Sequence, residues 1–184
     1  MMEELLVKSK QFKNIPEMFK IEQGISIMAG PCAIESIEQM EEVAKNLLSN
    51  NVHFIRGMAF KPRTSPYDFQ GLGLEGLKIL DYIRKKYSLL AISEIMDPRD
   101  VESGMKYLDI IQIGSRNMQN YSLLKEVGRT GHPVILKRGM TSTIMEFLLA
   151  AEYIVLQGNT NLLLCERGIA HLNYIREILL ILLA

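Results

Sequence analysis

Six short apolar runs recur along the chain, and after each one apolar positions return every three or four residues. The runs cover 25–32 (ISIMAGPC), 53–60 (HFIRGMAF), 89–95 (LLAISEI), 110–115 (IIQIGS), 133–139 (PVILKRG) and 161–168 (NLLLCERG). Runs this short, rich in Ile, Val and Leu, predict strands buried on both faces. The stretches between them predict helices. Ser36 is the N-cap of the first, with Gln39 three residues on, and Met40, Val43, Ala44, Leu47 and Leu48 form its apolar face. The second covers 74–87 and turns Leu74, Leu77, Ile79, Leu80 and Ile83 inward. Asp97-Pro98 opens the third, with proline in the first turn. The fourth and fifth cover 120–130 and 141–157, and 170–183 is read as a sixth. Residues 1–24 are mixed and charged and predict an arm or a short first strand.

Strands that alternate with helices, without a hairpin signal, imply a parallel sheet. A doubly wound open sheet and a (β/α) barrel both satisfy the pattern. Two features favour the barrel. The first run leads into Gly30-Pro31-Cys32 and not into a G-x-G-x-x-G fingerprint. Polar or charged residues end nearly every run: Cys32, Arg56, Glu94, Ser115 with Arg116, Lys137 with Arg138, and Glu166 with Arg167. Barrel active sites are assembled from the C-terminal ends of many strands, whereas an open sheet concentrates its site in one crevice. The organisation expected is an arm over 1–24 and one α/β barrel domain over 25–184.

Composition narrows the function. The chain has 184 residues, 48% of them hydrophobic and 23% charged, with a formal net charge of zero. A nucleic-acid binder would carry a basic excess, so the basic clusters here are local sites. The densest apolar run, 178–183, is far too short to span a bilayer. The N-terminus lacks the basic-then-apolar order of a signal peptide. The two cysteines, Cys32 and Cys165, both in strand-like runs, make no disulfide framework, which fits a reduced, cytoplasmic setting.

The densest candidate chemistry lies in 56–73, RGMAFKPRTSPYDFQGLG, where Arg56, Lys61 and Arg63 fall within eight residues. A proline-stiffened turn with three cations after a strand suits multiply charged anions. If the strand ends converge, Arg116, Lys137 and Arg167 join them, and the set suffices for two phosphates and a carboxylate. The alternative is a set of separate salt bridges at loop ends. Cys32 reads as a thiolate metal ligand, a nucleophile or a small buried hydrophobe. Cys165 reads as core, and His53, His132 and His171 show no metal-ligand spacing. Glu94 either holds a water or pairs with a neighbouring lysine.

These residues fall in seven motifs: Ala29-Gly-Pro-Cys-Ala-Ile-Glu-Ser36, Arg56-Gly with Lys61-Pro-Arg-Thr-Ser-Pro66, Gln70-Gly, Ser93-Glu-Ile-Met-Asp-Pro98, Gln112-Ile-Gly-Ser-Arg-Asn-Met-Gln-Asn120, Leu136-Lys-Arg-Gly139 and Cys165-Glu-Arg-Gly168. In this order, over roughly 25–169, the chain resembles 3-deoxy-D-arabino-heptulosonate 7-phosphate (DAHP) synthase of type I, the first enzyme of the shikimate pathway to the aromatic amino acids. The resemblance implies a (β/α)8 TIM barrel, of which about six βα units are present. It implies a transferase that joins phosphoenolpyruvate to erythrose 4-phosphate and water and releases phosphate. It also implies a homo-oligomer; no nucleic-acid or membrane partner is expected, on the charge balance and the short apolar runs. Carried over, Arg56, Lys61, Arg116, Lys137 and Arg167 hold phosphoenolpyruvate with help from Ser115, and Lys61, Pro62, Arg63 and Thr64 hold erythrose 4-phosphate. Lys61 and Glu94 are the catalytic candidates, Glu94 orienting the attacking water. Cys32 is one ligand of a divalent metal such as Mn²⁺, Fe²⁺ or Zn²⁺.

KDO 8-phosphate synthase, the eight-carbon sibling, has an Asn-containing loop in place of Lys-Pro-Arg-Thr-Ser and is the alternative within the resemblance. Outside it stands a non-catalytic phosphoenolpyruvate-binding fragment. Past Ile169 the pattern of the family is lost, and with it a histidine in an Asp-Pro-Ser-His stretch, a glutamate and an aspartate that would complete the metal site. The expectation is a C-terminally incomplete, truncated or frame-disrupted synthase, impaired in activity, with open parallel edges at strands one and six.

Overall fold

The structure, a computed structural model, describes residues 5–9, 12–21, 24–167, 170–171, 174–175 and 179–181, with side chains as far as Glu166. In chain order the elements are α1 (Leu6–Ser9), α2 (Ile15–Phe19), β1 (Met28–Ala29), α3 (Ile37–Ser49), β2 (Phe54–Arg56), α4 (Leu74–Tyr87), β3 (Leu90–Glu94), α5 (Val101–Tyr107), β4 (Ile110–Ile113), α6 (Tyr121–Thr130), β5 (Val134–Lys137), α7 (Ile144–Val155), β6 (Leu162–Arg167), β7 (Ala170–His171), β8 (Tyr174–Ile175) and β9 (Leu179–Ile181). All six predicted strands form, each shorter than its apolar run. The first five predicted helices form as well. The described residues of the arm form two short helices and no strand. None of the described helices is long and apolar enough to cross a membrane.

The chain divides into two compact units, Gln23–Ile111 and Met1–Glu22 with Gln112–Ala184. In the first unit β1, β2 and β3 are parallel, with Met28 opposite Phe54 and Arg56 opposite Ile92. Ser36 caps α3 through its hydroxyl, which accepts from Gln39 N–H. Met40, Ala44 and Leu47 of α3 are buried as predicted, but Leu48 is exposed. In α4, Leu77, Leu80 and Ile83 are buried while Leu74 is exposed, because it occupies the first turn, where the helix rises out of the loop. Asp97 caps a single 3-10 turn over Pro98–Asp100 before α5 begins, so the proline start is tighter than the helix predicted there. Asp109 ties the unit together. Its carboxylate accepts from Ala91 N–H at 2.7 Å and from Arg84 at 2.8 Å, and its own N–H donates to Ala91 O.

In the second unit β5 and β6 are parallel, with Lys137 opposite Cys165. Thr143 and Glu146 form a reciprocal capping box that starts α7, and Asn120 caps α6. Buried Asn159 donates to His132 O at 2.8 Å and accepts from Asn161 N–H at 2.9 Å, which fixes the entry to β6. The arm helix α1 lies on α7, where Val7 N–H donates to Glu152 at 2.6 Å. An apolar-walled cavity of about 660 Å³ beside it, lined by residues such as Leu5, Tyr121, Leu149 and Tyr153, contains none of the candidate site residues.

Within the helix predicted over 170–183, the described residues are strand and not helix. In its place β7 pairs with β8, and β9 runs antiparallel along β6, with Cys165 opposite Ile181 and Arg167 opposite Leu179. A Leu- and Ile-rich run serves a strand as well as a helix, and the unpaired edge of β6 offers it backbone partners. The edge expected to be open at the sixth strand is therefore paired within the chain over Cys165–Arg167.

Candidate functional site

The first unit gathers Cys32, Arg56, Lys61, Pro62, Arg63, Thr64 and Glu94 at or just beyond the C-terminal ends of its strands. Cys32 lies in a bend three residues after β1 and is exposed, which corrects its placement inside a strand. Gly30-Pro31 carries it there. At Gly30, φ is +147°, and an added Cβ would lie 2.0 Å from Arg56 O, so only glycine lets the turn pass this close to β2. Ile34 N–H then donates to Met58 O at 3.1 Å and fastens the far side of the turn.

Lys61 Nζ donates to Cys32 Sγ at 3.0 Å. This bond is the largest influence holding the Cys32 thiol below its ordinary pKa. Partial burial opposes it, and the charges of Lys61, Arg56 and Arg63 reinforce it. Three cations and a thiolate-prone sulfur thus share one neighbourhood, joining the 29–36 and 56–66 motifs. Among the described residues Arg56, Lys61 and Arg63 make no ion pair with a carboxylate, while lysines and arginines elsewhere in the unit do, such as Arg84 with Asp81 and Asp109. Arg56 Nε is buried without a hydrogen-bond partner there. For this trio, salt bridging at loop ends is not what the structure shows. Uncompensated cations of this kind call for an anionic ligand.

The segment from Lys61 to Gln70 is a closed loop. Lys61 N–H donates to Gln70 O at 2.9 Å, and Gly73 N–H donates to Ala59 O at 2.9 Å. Inside it, Arg63 Nε donates to Phe69 O at 3.2 Å, and the Gln70 side chain donates to Ser65 O and Asp68 O. Pro62 is half-buried and Thr64 exposed on its rim. The sequence carries Gln70 in a motif, but its clamp on the loop was not predicted; a glutamine before glycine at the loop's end was the available signal. Glu94 ends β3 with its carboxylate buried, 6% exposed.

The second unit holds Ser115, Arg116, Lys137 and Arg167. Ser115 and Arg116 lie in a 3-10 turn after β4, with the Ser115 hydroxyl buried and unpartnered among the described residues and Arg116 exposed. Lys137 ends β5, half-buried. Gly139 N–H donates to Met118 Sδ at 3.0 Å, locking the turn after β5 to the turn after β4. Arg138 pairs with Glu166 at 2.9 Å, so for this strand-end arginine the salt-bridge alternative holds. Arg167 lies in β6, and its side chain is outside the described residues.

A divalent metal needs about three or more protein ligands. Among the described residues there is no group of three or more His, Cys, Asp or Glu side chains placed to hold one. Cys32 is a single donor, and the Lys61 ammonium already occupies its sulfur. The described residues do not by themselves fit a metal site.

Comparison with known proteins gives a consistent pattern. The profile of the DAHP synthetase I family matches residues 16–176. A phospho-2-dehydro-3-deoxyheptonate aldolase of Thermotoga maritima is 50% identical over 151 residues, which is 82% of this chain and 45% of that protein. A 2-dehydro-3-deoxyphosphooctonate aldolase of Syntrophotalea carbinolica is 34% identical, covering 78% of this chain and 54% of that protein. The crystal structure of the Thermotoga maritima aldolase, a DAHP synthase, superposes with a TM-score of 0.75 at 48% identity, over 80% of this chain and 43% of that one. The chain therefore spans about half the length of the curated relatives it matches.

Proposed function

The chain belongs to the DAHP synthetase I family, and its βα units are of the TIM-barrel class; from that premise we propose that it carries the substrate-binding strand ends of a 3-deoxy-7-phosphoheptulonate synthase. The reaction is the condensation of phosphoenolpyruvate with erythrose 4-phosphate and water, giving DAHP and phosphate. The observation that supports this most is the cluster of Cys32 and Arg56 with Lys61 and Arg63 of the Lys-Pro-Arg-Thr-Ser loop, its cations free of carboxylate partners among the described residues. That loop, together with 50% identity to the seven-carbon aldolase against 34% to the eight-carbon one, favours erythrose 4-phosphate as the second substrate.

In this reading Arg56, Lys61, Arg116, Lys137 and Arg167 hold phosphoenolpyruvate, with Ser115 adding a donor. Lys61, Pro62, Arg63 and Thr64 hold the phosphorylated aldehyde. Two highly anionic substrates repel each other, and fixed cations remove that repulsion before reaction. As C3 of phosphoenolpyruvate attacks the aldehyde carbon, the aldehyde oxygen becomes an alkoxide, and the Lys61 ammonium supplies its proton. Glu94 orients the water that adds at C2, and phosphate departs by C–O cleavage. Members of the family are generally metal-dependent, and Cys32 would be one donor to such a metal; the described residues do not by themselves complete its site.

A second reading is a phosphoenolpyruvate-binding scaffold without turnover, and the engagement of the Cys32 sulfur by Lys61 favours it. Calorimetry with phosphoenolpyruvate, with and without Mn²⁺, followed by a phosphate-release assay with erythrose 4-phosphate, separates the two. Metal-dependent binding and turnover supports the synthase. Metal-independent binding without turnover supports the scaffold. Absence of binding refutes both.

A further inference from the structure

Ser93 lies within β3, fully enclosed, at a position where a buried strand ordinarily carries an apolar side chain. Its hydroxyl accepts a hydrogen bond from Ala59 N–H at 2.9 Å. The place of this bond matters. The β2–β3 ladder ends at Arg56 opposite Ile92, and Gly57 N–H makes a further backbone bond across, to Ile92 O at 3.0 Å. Beyond Gly57 the chain leaves the sheet, and a side-chain oxygen takes over where strand pairing stops. Ala59 N–H would otherwise be a buried donor without an acceptor.

Ala59 is the residue from which the cationic loop hangs. It is fully buried, and its carbonyl accepts from Gly73 N–H at 2.9 Å. Gly71 passes so close, at φ +93°, that an added Cβ would lie 2.1 Å from Ala59 O. A Cβ placed on Gly76 would meet the Ala59 methyl at 3.0 Å. Ala59 is therefore hemmed in by the returning arm of the loop and tied to β3 through the Ser93 hydroxyl. Two residues on, Lys61 N–H closes the loop on Gln70 O, and Lys61 Nζ reaches Cys32 Sγ. A shift of Ala59 is transmitted through two residues to the Lys61 ammonium.

We propose that Ser93 is a positioning residue for the anion site: its hydroxyl fixes Ala59, and through Ala59 the reach of the Lys61 and Arg63 cations. The inference rests on the reading of the 61–70 loop as a phosphate cradle. Its counterpart across the loop is Gly71, which holds Ala59 from the opposite side. Neither residue is assigned contact with substrate.

The test uses the intact chain and three variants, Ser93→Ala, Ser93→Thr and Gly71→Ala. Hydrogen exchange is followed by mass spectrometry in peptides covering 60–71 and, as an internal reference, in peptides covering β5 and α7. Binding of inorganic phosphate and of phosphoenolpyruvate is measured by calorimetry. In Ser93→Ala, exchange over 60–71 rises about tenfold while the reference peptides are unchanged, and affinity for both anions falls about tenfold, as expected when a binding group is displaced by a fraction of an ångström. Ser93→Thr keeps the hydroxyl and restores both readouts, and Gly71→Ala reproduces the loop-specific loss. The proposal is overturned if Ser93→Ala leaves loop exchange and affinity unchanged, or if exchange rises equally in loop and reference peptides. If the unmodified chain binds neither anion, the cradle reading fails, and loop exchange alone decides whether Ser93 fixes the loop.

Discussion

Replacing Gly30 with alanine tests how the Cys32 turn is built. A Cβ at this position would lie 2.0 Å from Arg56 O, 3.0 Å from Arg56 C and 3.1 Å from Arg56 N. Ordinary carbon–oxygen approaches are about 3.3 Å or longer, so the turn and β2 must part by about 1 Å or more. Little resists that separation, because β1 and β2 are paired over two residues each. The backbone at φ +147° is also one that alanine avoids, which adds a cost of about 1–3 kcal/mol. Cys32, two residues further, moves with the turn, and its 3.0 Å contact with Lys61 breaks. Misplacement by about 1 Å costs on the order of 100-fold in a positioned site. The Gly30→Ala chain is therefore expected to melt lower and to bind phosphoenolpyruvate about 100-fold more weakly by calorimetry. Gly131→Ala is the control: its φ is +66° but nothing lies within 4 Å of the added Cβ, so it carries backbone strain without displacement of the site. If Gly30→Ala binds within twofold of the unmodified chain, or if Gly131→Ala lowers affinity as much, the close-approach argument is wrong.

Other perturbations have definite signs. The Cys32 thiol sits below its ordinary pKa chiefly through Lys61, so its alkylation by iodoacetamide should persist to lower pH than for a free thiol, and Lys61→Met should move the rate–pH profile upward; an unmoved profile refutes the assignment. Asp97 is lowered to about 2 by its bonds to the Arg99 side chain and backbone. What it contributes to the 98–100 turn is complete above the ordinary carboxylate range and is lost as pH falls through about 2, and Arg99→Ala should raise the Asp97 midpoint seen by carboxyl-carbon NMR. Asp109→Ala removes two charge-assisted bonds, to Ala91 N–H and to Arg84, and leaves the guanidinium and the β3 amide short of an acceptor. It should cost about 2–3 kcal/mol in a denaturant titration, and a loss under 0.5 kcal/mol would show that water replaces the carboxylate.

The strand–helix alternation was legible because each local signal agreed with its neighbours. Ser36 caps its helix as predicted, the helix expected from 120 starts at its cap Asn120, and Leu74–Tyr87 has the boundaries the periodicity predicts, whereas the helix expected from 141 starts later, capped by Thr143. The strand at 179–181 was not legible, since so short an apolar run has no period of its own and can pair with the edge of β6. Of the site, the cations of the 56–63 stretch were readable as a cluster, because a strand end and a proline-stiffened loop place them close together in sequence. The partners that fix them were not. Ser93 is 34 residues from Ala59, and Cys32 is 29 from Lys61, so only the fold brings each pair together. Nor can charge pattern distinguish Arg138, held by Glu166, from Lys61, held by no carboxylate among the described residues.

That last contrast bears on how the site is prepared for its ligand. Each unit fixes its strand-end residues by bonds internal to itself. In the first, Gly30 against Arg56, Ala59 against Gly73 and Lys61 against Gln70 are all backbone approaches. In the second, Gly139 against Met118 and Arg138 against Glu166 hold the turns that carry Ser115 and Lys137. Backbone and buried contacts of this kind do not rearrange when an anion arrives, so the conformational cost of ordering long cationic side chains is met in part during folding. Three cations without carboxylate partners among the described residues repel one another, and a phosphate bound among them would relieve that repulsion. A site built this way should gain stability with inorganic phosphate alone, before either carbon skeleton is present. The gain should diminish as ionic strength screens the cations, which distinguishes it from a pocket that recognises its ligand by shape.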